Sequence, residues 1–380
     1  MSDEQQEFFW IIFDTCTRPQ YYQDVHNILA LPEGSIYRYE YRVSHMSPLA
    51  IQAATSQMQG KALLVYAQAN HYRKGDPSPA TETPTEKILW VATRLAEVTL
   101  IPSQEGETFY FDLKLTRYPK LDQVVLSRIL KPLIDLGETP FRKWVTISRN
   151  FDDLHELDSG NSDGNWESII NALGRFPSQF DGDNFWRLRV PIQVDNGKKL
   201  NIKYQEIPVR GTNEIRKINS YYDAEEGLKG AFELISYTPL NLPGIHRLMV
   251  HVSINEKDPI YVVGTSEFEV RPHSAEMLKF ATSRSNPLTA SMGSMRIESN
   301  HNEHIWPLGP NVRIEFRVYK PTWKIASAIT LFVIAIYFEY LGLAWKDYNG
   351  NITIAAGVFG FVLGLIAYYL LFGHLKVAEM

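Results

Sequence analysis

Along most of the chain apolar residues alternate with polar ones or recur every third or fourth position, but near the C-terminal end they run almost unbroken. Ile325–Trp345 and Ile352–Phe372 are two such runs of 21 residues each, and Glu339 is the one carboxylate within them. As helices they would be about 30 Å long, the thickness of the bilayer hydrocarbon. The link Lys346-Asp347-Tyr348-Asn349-Gly350-Asn351 is short and polar, so the two spans must run antiparallel. Everything before them, and the tail from Gly373, then falls on one side of the membrane.

From the N-terminus, period-two and period-3.6 patterns take turns. Phe8–Asp14 predicts a strand, Gln20–Leu31 a helix, and Pro32-Glu33-Gly34 a turn before a strand over Ile36–Val43. A helix over Pro48–Gln59 stops at Gly60, and a strand over Lys61–Ala69 follows. Beyond a Pro- and Thr-rich loop, Ile88–Ile101 and Thr108–Arg117 are two strands in hairpin spacing. A helix over Leu121–Leu136 and a strand over Trp144–Arg149 complete an expected α+β domain at 1–150. Residues 151–182 predict a flexible connector, rich in Asp, Ser, Gly and Asn, with a short helix from Trp166 to Phe176.

From 183 to 319 the pattern predicts mainly strands: Phe185–Val194, Lys199–Pro208, Gly230–Tyr237, His246–Ile254, Ile260–Val270, Ser294–Ser299 and Val312–Tyr319. A β-rich domain, sandwich or barrel-like, is expected. The fold class is then an α+β cytosolic domain, a β-rich domain and a C-terminal transmembrane hairpin at 320–380. The last strand reaches Lys320-Pro321-Thr322 with almost no linker, so its movement would pass directly to the first span.

Charge sets the expected orientation. Arg313, Arg317, Lys320 and Lys324 precede the first span and Lys376 follows the second, whereas Asp347 offsets Lys346 in the link. Cationic flanks favour the cytoplasm, so both termini are expected there, with the bilayer as a partner. Trp323, Trp345, Tyr348 and Tyr368-Tyr369 fall at the span boundaries, as interfacial aromatics do. The acidic start and the short apolar stretch Phe8–Phe13 do not read as a secretory leader, and the single Cys16 fits a reducing compartment. Asn351-Ile352-Thr353 abuts the bilayer and reads as a chance glycosylation acceptor. With 44% hydrophobic and 21% charged residues and a formal charge of −5, the chain has no overall basic excess, so any anionic ligand must meet a local patch.

Nucleophile elbows, Walker loops, dinucleotide fingerprints and His-Glu-x-x-His sites are missing, and no enzyme activity, cofactor or metal is expected. His301-Asn302-Glu303-His304 has two histidines without an evident third ligand and reads as an exposed loop. Asn161-Ser162-Asp163-Gly164 resembles the start of a calcium loop, but Ile170 stands where the bidentate Glu would be. Cationic and aromatic clusters carry more. In Tyr37-Arg38-Tyr39-Glu40-Tyr41-Arg42, alternation puts the tyrosines on one strand face and Arg38 and Arg42 on the other. That is either a stacking platform with a guanidinium rim or a half-buried strand with tyrosines in the core. Tyr72, Arg73 and Lys74 follow a strand, where ligand-reading loops lie. Arg187 and Arg189 share a face opposite Trp186 and Leu188, with Lys198-Lys199, Arg210, Arg216, Lys217 and Tyr221-Tyr222 further on. Guanidinium groups pair phosphates and aromatic rings stack on bases, so a nucleotide or single-stranded nucleic acid is the expected ligand; solvated faces are the alternative.

Within the hairpin, Ala356, Gly360 and Gly364 recur every four residues on one face of the second span. Small residues so placed let helices approach closely, either within one hairpin or between copies. Ala328, Ala335 and Gly342 recur on the first span, with Glu339 near the edge of that face. Glu339 either reaches for the outer interface, bonds across a helix contact, or joins a ring of carboxylates lining a cation path in an oligomer.

This layout, a cytosolic sensor followed by a terminal two-span hairpin, resembles bacterial antiviral membrane effectors. Among these the Hailong-type channel, controlled by a DNA oligomer, is the nearest comparison. The resemblance implies a homo-oligomer in the bacterial inner membrane, a nucleotide or oligonucleotide signal that controls a pore or membrane disruption, and a nucleotidyltransferase partner protein. A membrane-anchored interaction scaffold is the expectation from a different class.

Overall fold

The computed structural model describes residues 8–15, 19–68, 89–105, 107–135, 144–149, 151–175, 185–208, 215–238, 248–271, 273–283, 289–300, 310–345 and 350–372. The chain is β-rich through its N-terminal and central parts and ends in two long apolar helices, the coarse division that the hydrophobic pattern predicts.

The N-terminal part comprises β1 (Phe9–Thr15), α1 (Pro19–Ala30), β2 (Ile36–Arg42), α2 (Pro48–Thr55), β3 (Gly60–Gln68), β4 (Leu89–Glu105), β5 (Thr108–Leu115), α3 (Gln123–Asp135) and β6 (Val145–Ser148). Its six strands lie in the order β2-β5-β4-β3-β1-β6, and β1 and β3 run parallel. β1 is apolar on both faces because both are covered. Trp10 and Ile12 pack into the large core with Val25, Ile28 and Leu29 of α1, while Phe9, Ile11 and Phe13 meet Val125, Leu126 and Ile129 of α3.

Two helices, α4 (Phe151–Leu157) and α5 (Ser162–Leu173), occupy the stretch expected to be a flexible connector. The Asp, Ser, Gly and Asn residues there lie on outward faces and at a cap: the Asn161 side chain accepts from Asp163 N–H at the start of α5. Leu154 and Leu157, and Trp166, Ile169, Ile170 and Leu173 at helical spacing, are buried.

The central part comprises β7 (Phe185–Leu188), β8 (Ile192–Gln193), β9 (Ile202–Pro208), β10 (Ile215–Glu225), β11 (Lys229–Tyr237), β12 (Leu248–Ile254), β13 (Ile260–Val262), β14 (Glu267–Val270), β15 (Ala275–Thr282), β16 (Ser291–Asn300) and β17 (Asn311–Tyr319). They form one sheet in the order β14-β12-β16-β17-β10-β9 and another in the order β13-β15-β11-β7, with β8 beside β11. The sheets meet face to face where Phe232 and Phe280 pack on Phe316, at ring-centroid distances of 6.1 and 5.0 Å. Gly230 on β11 makes room for this, because a Cβ there would run into the Phe280 ring. The single strand expected over Ile260–Val270 is two strands in different sheets, and Gly264, at φ 106°, lies between them. β10 and β15 were not evident in the pattern. In β10 the inward side chains include Tyr222 and Ala224, among polar neighbours that read as a basic cluster.

The N-terminal and central parts share one core: Trp10 and Phe111 belong to the same apolar cluster as Phe232 and Phe316. Hydrogen bonds cross the seam from Ile36 N–H to Ser220 Oγ (3.0 Å), from Tyr204 Oη to Gly34 O (3.0 Å) and from Asn311 N–H to Asn27 Oδ1 (2.8 Å).

α6 (Thr322–Ala344) and α7 (Gly350–Phe372) are the antiparallel pair at the C-terminus. Phe332, Val333, Ile336, Phe361 and Leu365 are exposed on them, although both helices are long and apolar enough to cross a membrane. A helix apolar all round is stable when its surroundings are apolar too, and among the described residues the rest of the chain leaves most of these two uncovered.

Candidate functional site

Three of the cationic residues expected to meet a ligand, Arg38, Arg187 and Arg189, are held by carboxylates of the same chain. Arg38 makes a two-pronged pair with the buried Asp112, Nε–Oδ1 at 2.7 Å and Nη2–Oδ2 at 3.1 Å. Arg187 and Arg189 do share a face, and they converge on Asp163: Arg187 Nη2 lies 2.7 Å from Oδ1 and Arg189 Nη2 2.9 Å from Oδ2. Arg187 is 5% exposed and stacks on Trp166 at 4.5 Å, while Arg189 also pairs with Glu233 at 2.8 Å. Asp163, read as part of a solvated connector, is thus the anchor of this cluster. Arg42 is exposed at the end of β2. Tyr72, Arg73 and Lys74, His301 and His304, and Arg210 lie outside the described residues.

The three tyrosines of β2 share a face, as alternation requires, and that face turns inward, with hydroxyls bordering a carboxylate pair at the end of β1 and on α1. Tyr39 Oη donates to Asp14 Oδ2 at 2.5 Å and Tyr37 Oη to Asp24 Oδ1 at 2.6 Å; Asn27 Nδ2 in turn donates to Tyr37 Oη at 3.1 Å. Burial, and then the charge of Asp24, hold the Asp14 carboxyl well above the usual carboxylate range, and burial raises Asp24 to about 6. Burial also pushes the hydroxyls of Tyr37, Tyr39 and Tyr41 upward, so they remain protonated donors. Asp24 thus keeps its proton into the mildly acidic range. Among the described residues, no group of three or more His, Cys, Asp and Glu is placed to hold a metal.

This cluster predicts an unusual pH dependence. Between its ordinary value of 3.8 and about 6, Asp24 binds more protons folded than unfolded, so its contribution to stability declines as pH rises through that window. Asp163 and Asp223 act oppositely. Burial works to raise them, but Arg187 and Arg189 beside the first, and Arg317 and Lys203 beside the second, hold both below the usual range. Their contribution is lost as pH falls through the carboxylate range. Thermal unfolding of the full chain across pH is expected to peak on the mildly acidic side. Asp24→Asn should raise stability at neutral pH by about 1–3 kcal/mol and flatten the slope; an unchanged slope excludes the cluster as its source.

At the junction with the helices, Lys320 is 5% exposed and its Nζ donates to the carbonyls of Leu371 and Leu370 (3.3 Å for the second) at the end of α7. Glu226 Oε2 lies 3.5 Å away. Within the hairpin, a Cβ on Gly342 would lie 3.5 Å from Ala356 Cβ, and one on Gly360 would lie 2.9 Å from Ala335 O. Ala356 and Gly360 therefore form the seam with α6, together with Ala335 and Gly342, whereas Gly364 has nothing within 4 Å of its Cβ position. Glu339 is exposed, and its chain lies over Gly360, with Oε1 3.2 Å from that glycine's Cβ position.

Asp14 and Asp24 are not among the residues that sequence patterns single out, and Lys320 enters there only as a cation flanking the first span. Asp14 had a visible signal, an acid closing an otherwise apolar strand. Lys320 had only its place beside the first span.

No family model matches the chain, and no curated protein matches it. Several solved structures overlap parts of it, among them the following three. The chaperone–tip adhesion subunit pre-assembly complex CsuC–CsuE of archaic chaperone-usher Csu pili from Acinetobacter baumannii is 14% identical, covering 26% of this chain and 52% of that one at a TM-score of 0.19. The chain thus spans about half the length of that structure. WR4, a C. elegans MSP family member, is 12% identical over 26% of this chain and 92% of that one (TM-score 0.18). A FixG-related protein from Vibrio parahaemolyticus is 9% identical over 32% of this chain and 94% of that one (TM-score 0.17). Similarities this slight carry no argument about function.

Proposed function

We propose that this chain is a membrane effector, in which a cytosolic ligand-sensing region controls hairpins that assemble into a pore or otherwise disrupt the bilayer. Glu339 is the observation that supports this most directly. The residue is exposed on a helix whose other outward residues include Phe332, Ile336, Tyr340 and Leu343. An ionised carboxylate facing lipid costs a few kcal/mol or more, and facing water shared between copies relieves that cost. Two helices enclose no channel, so the reading requires a homo-oligomer.

Both termini are cytoplasmic in this reading, on the strength of the cationic flanks, and the bacterial inner membrane, a role in antiviral defence and a nucleotidyltransferase partner rest on the resemblance in layout. The ligand is a nucleotide or oligonucleotide. Arg42 and the segment Tyr72-Arg73-Lys74 are its first contacts, since at Arg38, Arg187 and Arg189 a phosphate must displace Asp112, Asp163 or Glu233. Nuclease-sensitive material is therefore expected with the purified full-length oligomer.

In vesicles reconstituted with the full-length chain, Glu339→Gln is expected to lower cation-over-anion selectivity several-fold at equal incorporation. Identical permeability and selectivity in the two proteins removes Glu339 from the pathway.

A second reading, a membrane-anchored interaction scaffold, is favoured by one observation: Ala356 and Gly360 are used within a single hairpin, so an interface between copies is not needed to account for them. Replacing the hairpin with an unrelated two-span anchor separates the readings, because function survives the exchange in a scaffold and fails in an effector.

A further inference from the structure

We propose that Lys320 is a latch, an ammonium that fastens the C-terminal end of α7 to the turn after β10, so that the hairpin has a latched and a released arrangement relative to the β sheets. The proposal rests on the hairpin being embedded in a membrane, but not on its conducting ions.

The side chain is placed for this and for little else. Lys320 lies between the end of β17 and Pro321, two residues before α6 begins, and it reaches the end of the other helix, which lies beside that start because the pair is antiparallel. The last carbonyls of a helix lack intrahelical donors and carry the negative end of its dipole. An ammonium has three protons, and three acceptors surround this one: Leu370 O, Leu371 O and Glu226 Oε2. Its side chain is 2% exposed and that of Glu226 is 9% exposed, so the charge is neutralised locally rather than by water.

The two sides of the latch differ in firmness. On the soluble side, Glu226 N–H donates to Tyr319 O at 2.8 Å, while Thr282 Oγ1 on β15 donates to Glu225 O at 2.6 Å and accepts from Leu228 N–H at 2.9 Å. The turn is therefore pinned to strands of both sheets. On the membrane side the attachment is to a helix end, through the carbonyls of Leu370 and Leu371. A buried lysine that loses its acceptors leaves an uncompensated charge, and its flexible four-carbon stem can carry the ammonium out to water. Partial detachment is thus disfavoured and full release is available, which is what gives two arrangements instead of a continuum.

Spin labels at Lys229→Cys and Tyr369→Cys, in a Cys16→Ser background of the full chain in lipid nanodiscs, report the distance between β11 and the end of α7. The parent is expected to give one narrow distance. Lys320→Gln should raise the ratio of released to latched populations by about tenfold, seen as a second, longer distance, and Glu226→Gln should shift it in the same direction. Lys320→Arg should keep the short distance. Distributions that match the parent in both glutamine variants overturn the latch; if Lys320→Gln does not insert, Glu226→Gln decides alone. Ion flux from the same preparations reads the pore separately. A distance change without flux sinks the channel reading and leaves the latch, and flux without a distance change does the reverse.

Discussion

Arg94→Leu is expected to cost about 2–5 kcal/mol of folding stability, among the largest effects of any single side chain outside the apolar core. Arg94 projects from β4 and is 1% exposed. Its Nε donates to Thr116 O at 2.7 Å and its Nη1 to Ile28 O at 3.2 Å, and its guanidinium lies 3.9 Å over the Tyr118 ring. Ile28 is in the last turn of α1, where carbonyls have no helical donor. The neighbouring Leu29 O is met by Tyr118 Oη at 2.7 Å and by Trp166 Nε1 at 3.2 Å. Three elements thus cap one helix end inside the core, and the positive charge also answers the helix dipole. Burial lowers the Arg94 pKa, but guanidinium remains protonated in proteins, so removing it leaves the buried Ile28 O and the part-buried Thr116 O without this donor. Arg94→Lys should fall between, since one ammonium cannot reproduce the fork. By contrast Arg189→Ala, at a half-exposed pair, should cost under about 1 kcal/mol. Urea midpoints of the full chain in detergent, at unchanged slope, rank the three; equal midpoints for Arg94→Leu and Arg189→Ala refute the capping role.

The contrast between Arg94 and Arg189 also shows where sequence patterns stop being informative. β1, α1, β3 and the two membrane-length helices are legible because each carries a strong local period or an unbroken apolar run. α4 and the start of α5 are not, since their polar residues dominate composition while four well-spaced apolar residues, beginning at Trp166, decide the fold. β10 is disguised in the same way. Long-range pairing is invisible altogether: nothing near Arg187 in sequence announces that Asp163 will hold it, and Lys320 meets its helix-end partner 51 residues away. The inward turn of Tyr37, Tyr39 and Tyr41 was one of two arrangements that alternation allowed, and burial against Trp10 and Phe111 selects it.

Position within the hairpin has the same character, because equal spacing along α7 hides unequal surroundings. Gly360→Leu is expected to force α6 and α7 apart: its Cβ would sit 2.9 Å from Ala335 O and 3.2 Å from the Glu339 chain, and backbone cannot yield as a side-chain tip does. Overpacking of this kind costs about 1–3 kcal/mol in a packed interior. Gly364→Leu meets open space and should leave the pair intact. Cysteines at Phe338 and Phe359, whose rings are 4.8 Å apart, report the seam by disulfide formation in a Cys16→Ser background. Crosslinking should fall several-fold with Gly360→Leu and stay at the parent level with Gly364→Leu. The second variant then asks what lies beyond a single chain. If copies meet along the outward face of α7, Gly364→Leu disperses the oligomer on a native gel while the intramolecular disulfide still forms; if the hairpin is only an anchor, assembly is indifferent to it. A Gly360→Leu protein that crosslinks as well as its parent would contradict the seam itself, and with it the contact of the Glu339 chain with Gly360.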